Sequence, residues 1–302
     1  MIPLLSSELL RARSRKLVKV LLIVAVVGIT VGVVIGAINS HKPSAAVVAR
    51  AQAQRQADIK RCLATPVPGG QTSTGTTREE GCTPPLSAYL PAQSFDVNAI
   101  GDLLRGTSVN LIVMGWLVGA SLAGAEWAAG TMTTLLTWEP RRIRVLLAKL
   151  VAAIVTVLLL TLALQLFLVG MLWLLAATRG LNVPDAGLWR GVFGSMLRVS
   201  AISAVAGLFG MAIAMYTRSV TAAMASGFIY LAVIEGLIRG YKPGFSRYLV
   251  GDNAAAWVSG HAFSATDPSY SVTVAHAVVV LLIYSAILVT AAAISFRSRD
   301  VT

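Results

Sequence analysis

Residues 126–149 read EWAAGTMTTLLTWEPRRIRVLLAK and lie between two long apolar runs. The stretch opens on a carboxylate, Glu126, as one run ends, and it closes on Arg141, Arg142, Arg144 and Lys149 as the next begins. Such a stretch does not cross a bilayer, because each charge at the centre of a membrane helix costs about 2.5–3.5 kcal/mol. It lies in an interface or against another protein. Trp127 and Trp138 carry amphipathic rings suited to the headgroup zone. Met132, Leu135 and Leu136 recur at helical spacing and predict a short helix with one apolar face. Pro140 ends it, since proline breaks an interior helical hydrogen bond but is tolerated in a first turn. A second short helix then carries the arginines towards the next run. The expected form is a helix–break–helix elbow between two membrane spans.

The composition outside this elbow agrees. The chain has 302 residues, 56% hydrophobic and 13% charged, with mean hydropathy +0.75. Soluble domains carry about 25% charged residues. Six apolar segments are long enough to cross a bilayer: Val18–Ile38, Ser108–Ala125, Leu150–Ala177, Val192–Tyr216, Val220–Ile238 and Thr273–Phe296. The expected fold class is an all-α polytopic membrane protein with six transmembrane helices, forming one transmembrane domain over residues 1–302. The first run exceeds the apolar core of a signal peptide and reads as a retained anchor. Basic residues flank the short loops on one side: Arg11, Arg13, Arg15, Lys16, Lys19, the arginines of the elbow, Arg218, Arg297 and Arg299. The positive-inside rule then puts both termini and residues 126–149 in the cytoplasm. Residues 1–17 form an interfacial helix, and residues 39–107 an extracytoplasmic loop. The net charge of +12 follows from this topology and does not call for a nucleic-acid partner. Arginine outnumbers lysine and Ala, Val and Gly abound, as in a GC-rich bacterial genome, so the expected location is a bacterial plasma membrane.

In the long loop, Ala45–Leu63 is expected to be helical, Thr65–Thr77 is turn-rich, and Asp96 caps a short helix over Val97–Arg105. Both cysteines of the chain, Cys62 and Cys82, fall in this loop. An extracytoplasmic compartment lets them pair as a disulfide; two free thiols are the alternative. Inside the spans, Gly28, Gly32 and Gly36 recur every four residues, as do Gly115, Gly119 and Ala123. Small residues at that spacing let helices approach closely, whether as static packing or as a sliding seam. Glu235 and Arg198 form a possible intramembrane ion pair, with Arg239, one turn further on, as the competing partner. Gln165 is expected to bond to a neighbouring helix. Glu126 is expected to pair with one of Arg141, Arg142 and Arg144, or to cap the short helix.

Several chemistries find no support. No GxxxxGK[ST] loop occurs, and the three histidines have no metal-ligand spacing, so no metal and no bound cofactor is expected. Ser121 and His276 are the nearest approach to a serine–histidine dyad, but Ser121 lacks a GxSG context.

The elbow resembles the segment after the second span of ABC-2-type transporter permeases. There a glutamate, a GT pair, a leucine pair, a proline and an arginine precede a lysine entering the third span. Here the matching residues are Glu126, Gly130, Thr131, Leu135, Leu136, Pro140, Arg142 and Lys149. The proline stands two residues before Arg142, where many relatives have three. The N-terminal LLSSELLRARSRK is similar to the interfacial helix preceding the first span in that family. About 40 residues carry these motifs, while the six-span layout extends over the whole chain. The resemblance implies an export permease, with the elbow as its coupling helix. Separate ABC ATPase subunits would hold ATP and Mg and do the hydrolysis, and a second permease copy, identical or different, would complete the membrane path. Importers instead carry an EAA-x3-G loop near the C-terminal end, and here the glycine follows Glu126 by four residues between spans two and three. The alternative class is a non-transporting six-span assembly or stress-response protein.

Overall fold

The computed structural model describes residues 2–64, 82–84, 86–90, 94–139, 141–180, 184–266 and 269–298. Pro140 and the Thr65–Thr77 stretch lie outside the described residues. The helices are α1 Ile2–Ser14, α2 Lys16–Asn39, α3 Ala45–Ala64, α4 Ile100–Gly106, α5 Ser108–Ala128, α6 Thr131–Trp138, α7 Arg142–Arg179, α8 Leu188–Thr217, α9 Val220–Ile229, α10 Glu235–Tyr241, α11 Val250–Ser259 and α12 Val274–Ser298. Six helical segments are long and apolar enough to cross a membrane: α2, α5, α7, α8, the run Val220–Tyr241, and α12. They coincide with the six segments expected from the sequence. The protein is thus a helical, multi-pass membrane protein.

Two features depart from the sequence reading. The second half of the elbow is not a separate helix, because α7 runs unbroken through 38 residues from Arg142 to Arg179, about 57 Å at 1.5 Å per residue. An antiparallel hairpin, β1 Phe263–Thr266 with β2 Ser269–Val272, pairs Phe263 with Val272 and adds a small sheet to an otherwise helical fold.

The chain forms two compact units. The first comprises Met1–Val26, Leu103–Leu166 and Gly191–Thr302. Its core runs along α5, α7 and α8, where Val118, Ala120, Ala123, Ala153, Val157, Val199 and Ala214 are fully buried. Glycine makes that packing possible. A Cβ at Gly115 or Gly119 would overlap the backbone of Ser203 or Gly207 on α8. On the far side of α5, the Trp116 indole donates from Nε1 to the Ala223 carbonyl of α9 at 2.9 Å, and its ring packs against Gly227.

The second unit comprises Val27–Asp102 and Phe167–Arg190. Ala51 of α3 is buried against Leu86 and Leu90. The Arg55 guanidinium donates to the Pro84 carbonyl at 2.8 Å, and the Tyr89 hydroxyl donates to Asp58 at 2.9 Å. A Cys62–Cys82 disulfide closes this cluster, with a Cα–Cα distance of 5.7 Å. Asp96 caps a 3₁₀ turn, Val97–Ala99, that leads into α4, so the expected helix begins with a tighter turn. A Cβ added at Gly28 or Gly32 would meet nothing within 4 Å, and one at Gly36 would meet only the Leu175 side chain, at 3.7 Å. Among the described residues the α2 stripe therefore makes no close helix–helix seam, unlike that of α5.

Candidate functional site

The elbow is built by local backbone rules. Gly130 adopts φ +66°, a left-handed conformation that costs a side-chain-bearing residue, and so ends α5 and starts α6. Thr133 Oγ1 donates to the Gly130 carbonyl at 2.6 Å. Thr131 Oγ1 reaches the Glu126 carbonyl at 3.4 Å. Of the α6 residues, Met132 is fully buried, Leu135 and Leu136 are half-buried, and Trp138 is 85% exposed. The apolar face expected from spacing therefore points partly inward and leaves an aromatic tip outside.

Beneath the elbow lies a buried ionic network that joins three distant parts of the sequence. The Lys149 ammonium, 0% exposed, donates to Glu8 Oε1 at 2.9 Å and to Glu126 Oε2 at 2.5 Å. The Arg15 guanidinium donates to Glu126 Oε1 at 2.9 Å. It also donates to the carbonyls of Ser121 and Leu122, at 2.6 and 2.9 Å. Arg11 reaches Glu8 at 3.3 Å. Two carboxylates and two cations, Lys149 and Arg15, thus balance in a nearly dry site. Such burial is tolerated only when every charge is paired, as here. The network ties α1 to the end of α5 and the first turns of α7. The expectation that Glu126 pairs with Arg141, Arg142 or Arg144 is corrected: its partners are Lys149 and Arg15. The spacing rules that find partners on one helix cannot find Arg15, which is 111 residues away.

Arg142 donates to the carbonyls of Phe296 and Arg297, 3.3 and 3.4 Å away, at the C-terminal end of α12, where a cation favours the helix dipole. Trp127 meets Phe296 edge-on at 6.2 Å, and the Arg218 guanidinium sits 4.6 Å above the Trp127 ring. Arg218 occupies the turn between α8 and α9 at φ 58°. The elbow base therefore touches the ends of α8 and α12 as well as α1.

Of the two partners expected for Glu235, Arg198 and Arg239, the structure selects Arg239. Glu235, 2% exposed, receives Arg239 at 3.1 Å and the Gly251 amide at 2.8 Å. Arg239 also binds Asp252 at 2.6 Å, and the Tyr270 hydroxyl donates to that same carboxylate at 2.6 Å. This cluster pins α11 and the hairpin to α10. Burial raises the Tyr270 phenol pKa, and its hydrogen bond to Asp252 adds to that rise. Arg198 instead packs its guanidinium against Gly260, whose φ of +75° and lack of a Cβ leave room for it. Sequence reasoning passed over α11 and the hairpin. The signal was present in the sequence FSATDPSYSV, two alternating runs on either side of an Asp-Pro pair.

Gln165 Nε2 donates to Ser200 Oγ at 2.7 Å and to the Met196 carbonyl at 3.3 Å, joining α7 to α8. Ser121 Oγ donates to Val118 O, while His276 Nε2 lies 3.1 Å from the Arg247 carbonyl, so these two residues do not form a dyad. Comparison with known proteins finds no matching family model, curated protein or solved structure.

Proposed function

We propose that this chain is the membrane-spanning permease subunit of an ABC-2-type transporter, an exporter driven by separate ATPase subunits that bind ATP and Mg. The observation that carries the reading is the Glu8–Lys149–Glu126–Arg15 network. Glu126 and Lys149, the two ends of the elbow motif, meet each other and the N-terminal helix in one buried site. A push on α6 would reach α5, α7 and α1 together, since buried, fully paired charges resist being pulled apart. Contacts of Trp127 and Arg142 with Arg218 and Phe296 extend the same base to the neighbouring helix ends. The half-buried Leu135 and Leu136 and the exposed Trp138 would sit in an apolar groove of the ATPase, where aliphatic and aromatic anchors carry association. Both termini and the elbow would face the cytoplasm of a bacterial cell, and a second permease copy would complete the path.

The test uses the full chain purified from membranes that express its ATPase. Leu136→Asp should insert normally and form its Cys62–Cys82 disulfide, yet lose the co-purifying ATPase. ATPase binding and transport equal to those of the unchanged chain would overturn the coupling role of α6.

A further inference from the structure

The first unit contains a cavity of about 860 Å³, open to the surface at Val109, Leu231 and Ile287, within the roughly 300–1,000 Å³ range of small-molecule sites. Its walls come from α5, α8, the Val220–Tyr241 run and α12, with α11 across one end. Along α8 it extends from Ile202 to Ile213, eleven residues or about 17 Å. Most of the lining is aliphatic or aromatic: Val109, Trp116, Phe209, Leu231 and Ile287 are representative. One charged residue lines it among the described residues, Arg105, whose Nε donates to Ser195 Oγ at 3.2 Å.

Two further observations set this cavity apart from an ordinary gap between helices. The wall formed by Tyr230, Leu231 and Ile234 belongs to a π-helical turn, Tyr230–Ile234. Such turns are rare, concentrate at functional sites and persist when the surroundings favour them. Here Tyr230 Oη accepts the Val250 amide at 3.3 Å, at the start of α11. One turn further, Glu235 and Arg239 grip Gly251 and Asp252 of that same helix. The bulged wall and the end of the cavity are therefore held as one piece.

We propose that this cavity binds a single-chain anionic amphiphile, with the alkyl chain along α5 and α8 and the acidic head group on Arg105. An elongated apolar slot suits an unbranched chain. A guanidinium at one end supplies charge-assisted hydrogen bonds to a carboxylate or a phosphate. The site is defined by the cavity itself and does not depend on coupling to an ATPase.

The probe is a photoreactive palmitic acid, cross-linked to the full-length protein in phosphatidylcholine nanodiscs and mapped by mass spectrometry. Adducts should saturate on peptides carrying Phe209 and Leu231. Excess palmitate should compete, palmityl alcohol should compete at least about tenfold less well, and Arg105→Gln should weaken binding about tenfold, the worth of one charge-assisted bond. Arg105→Lys should stay within about threefold of the unchanged protein, since it keeps the charge. Ala255→Trp, which fills the cavity from α11, should abolish the saturable adducts in a protein that still elutes as one species with its disulfide formed. Phosphatidic acid serves as a two-chain competitor: weaker competition than palmitate supports a single-chain site, and stronger competition overturns it. Adducts that rise without saturation, survive Ala255→Trp, or yield equally to palmityl alcohol would also overturn the proposal.

Discussion

Removing the Lys149 ammonium should free the N-terminal helix. Lys149→Met keeps most of the volume and the apolar stem but leaves Glu8 and Glu126 buried, 7% and 6% exposed, without their shared cation. Breaking one partner of a buried pair costs about 3–5 kcal/mol. Glu126 keeps Arg15 at 2.9 Å, so its share of the loss is reduced. Among the described residues Glu8 keeps only Arg11, whose side chain is 48% exposed, and an exposed i,i+3 pair is worth about 0.3–0.5 kcal/mol. The expected destabilisation of α1 docking is therefore about 3 kcal/mol, near the low end, or roughly a 150-fold rise in the undocked population. Ala12 of α1 is 1% exposed and reports this opening. The native cysteines are joined to each other, so a thiol at Ala12→Cys is the sole reactive one among the described residues. Its alkylation rate should rise about 100-fold or more in Lys149→Met. Adding Glu8→Gln should recover a substantial part of the protection, because it removes the stranded carboxylate. Rates within about threefold of each other in the presence and absence of Lys149 would refute the claim that this network holds α1 in place.

Three other outcomes are expected. In intact cells, a membrane-impermeant thiol reagent should label Ala53→Cys on α3 but not Thr134→Cys on α6; the reverse pattern refutes the orientation drawn from the basic residues. Gly119→Val should lower the yield of folded protein far more than Gly28→Val, because a Cβ at Gly119 would overlap the Gly207 backbone and one at Gly28 meets nothing within 4 Å; overpacking costs about 1–3 kcal/mol, and more against backbone, and equal thermal stabilities would contradict the packing. The Tyr270 phenol has a pKa raised in the folded state by burial and by Asp252. Its contribution to hairpin docking should thus be complete below the ordinary value of about 10 and be lost as pH rises through the folded value. The phenolate absorbance difference between the unchanged protein and Tyr270→Phe should have a midpoint above about 10, lowered by Asp252→Asn; a midpoint at or below about 10 refutes the assignment.

The six apolar segments and the short helix between the second and third were legible from the sequence. Hydrophobic runs and proline or glycine stops act through nearest neighbours, and lipid demands that each spanning segment satisfy its own backbone. Local chemistry also marked Asp96 as a cap. The Cys62–Cys82 disulfide was one of two readings open to a pair of cysteines in one loop, and the structure shows it formed. The ionic partners were beyond that reach. Glu126 had three arginines nearby in the chain, yet it meets Arg15 and Lys149, because the packing of α1 against α5 and α7 brings those cations to a dry site where only close pairing offsets lost hydration. Glu235 had two candidate partners, and the choice of Arg239 was decided by α11, which delivers Gly251 and Asp252 to the same point. The glycine stripes looked alike in sequence. Packing distinguishes them: a Cβ at Gly119 would meet a neighbouring backbone and one at Gly28 would not, because a stripe becomes a seam where a second helix approaches it.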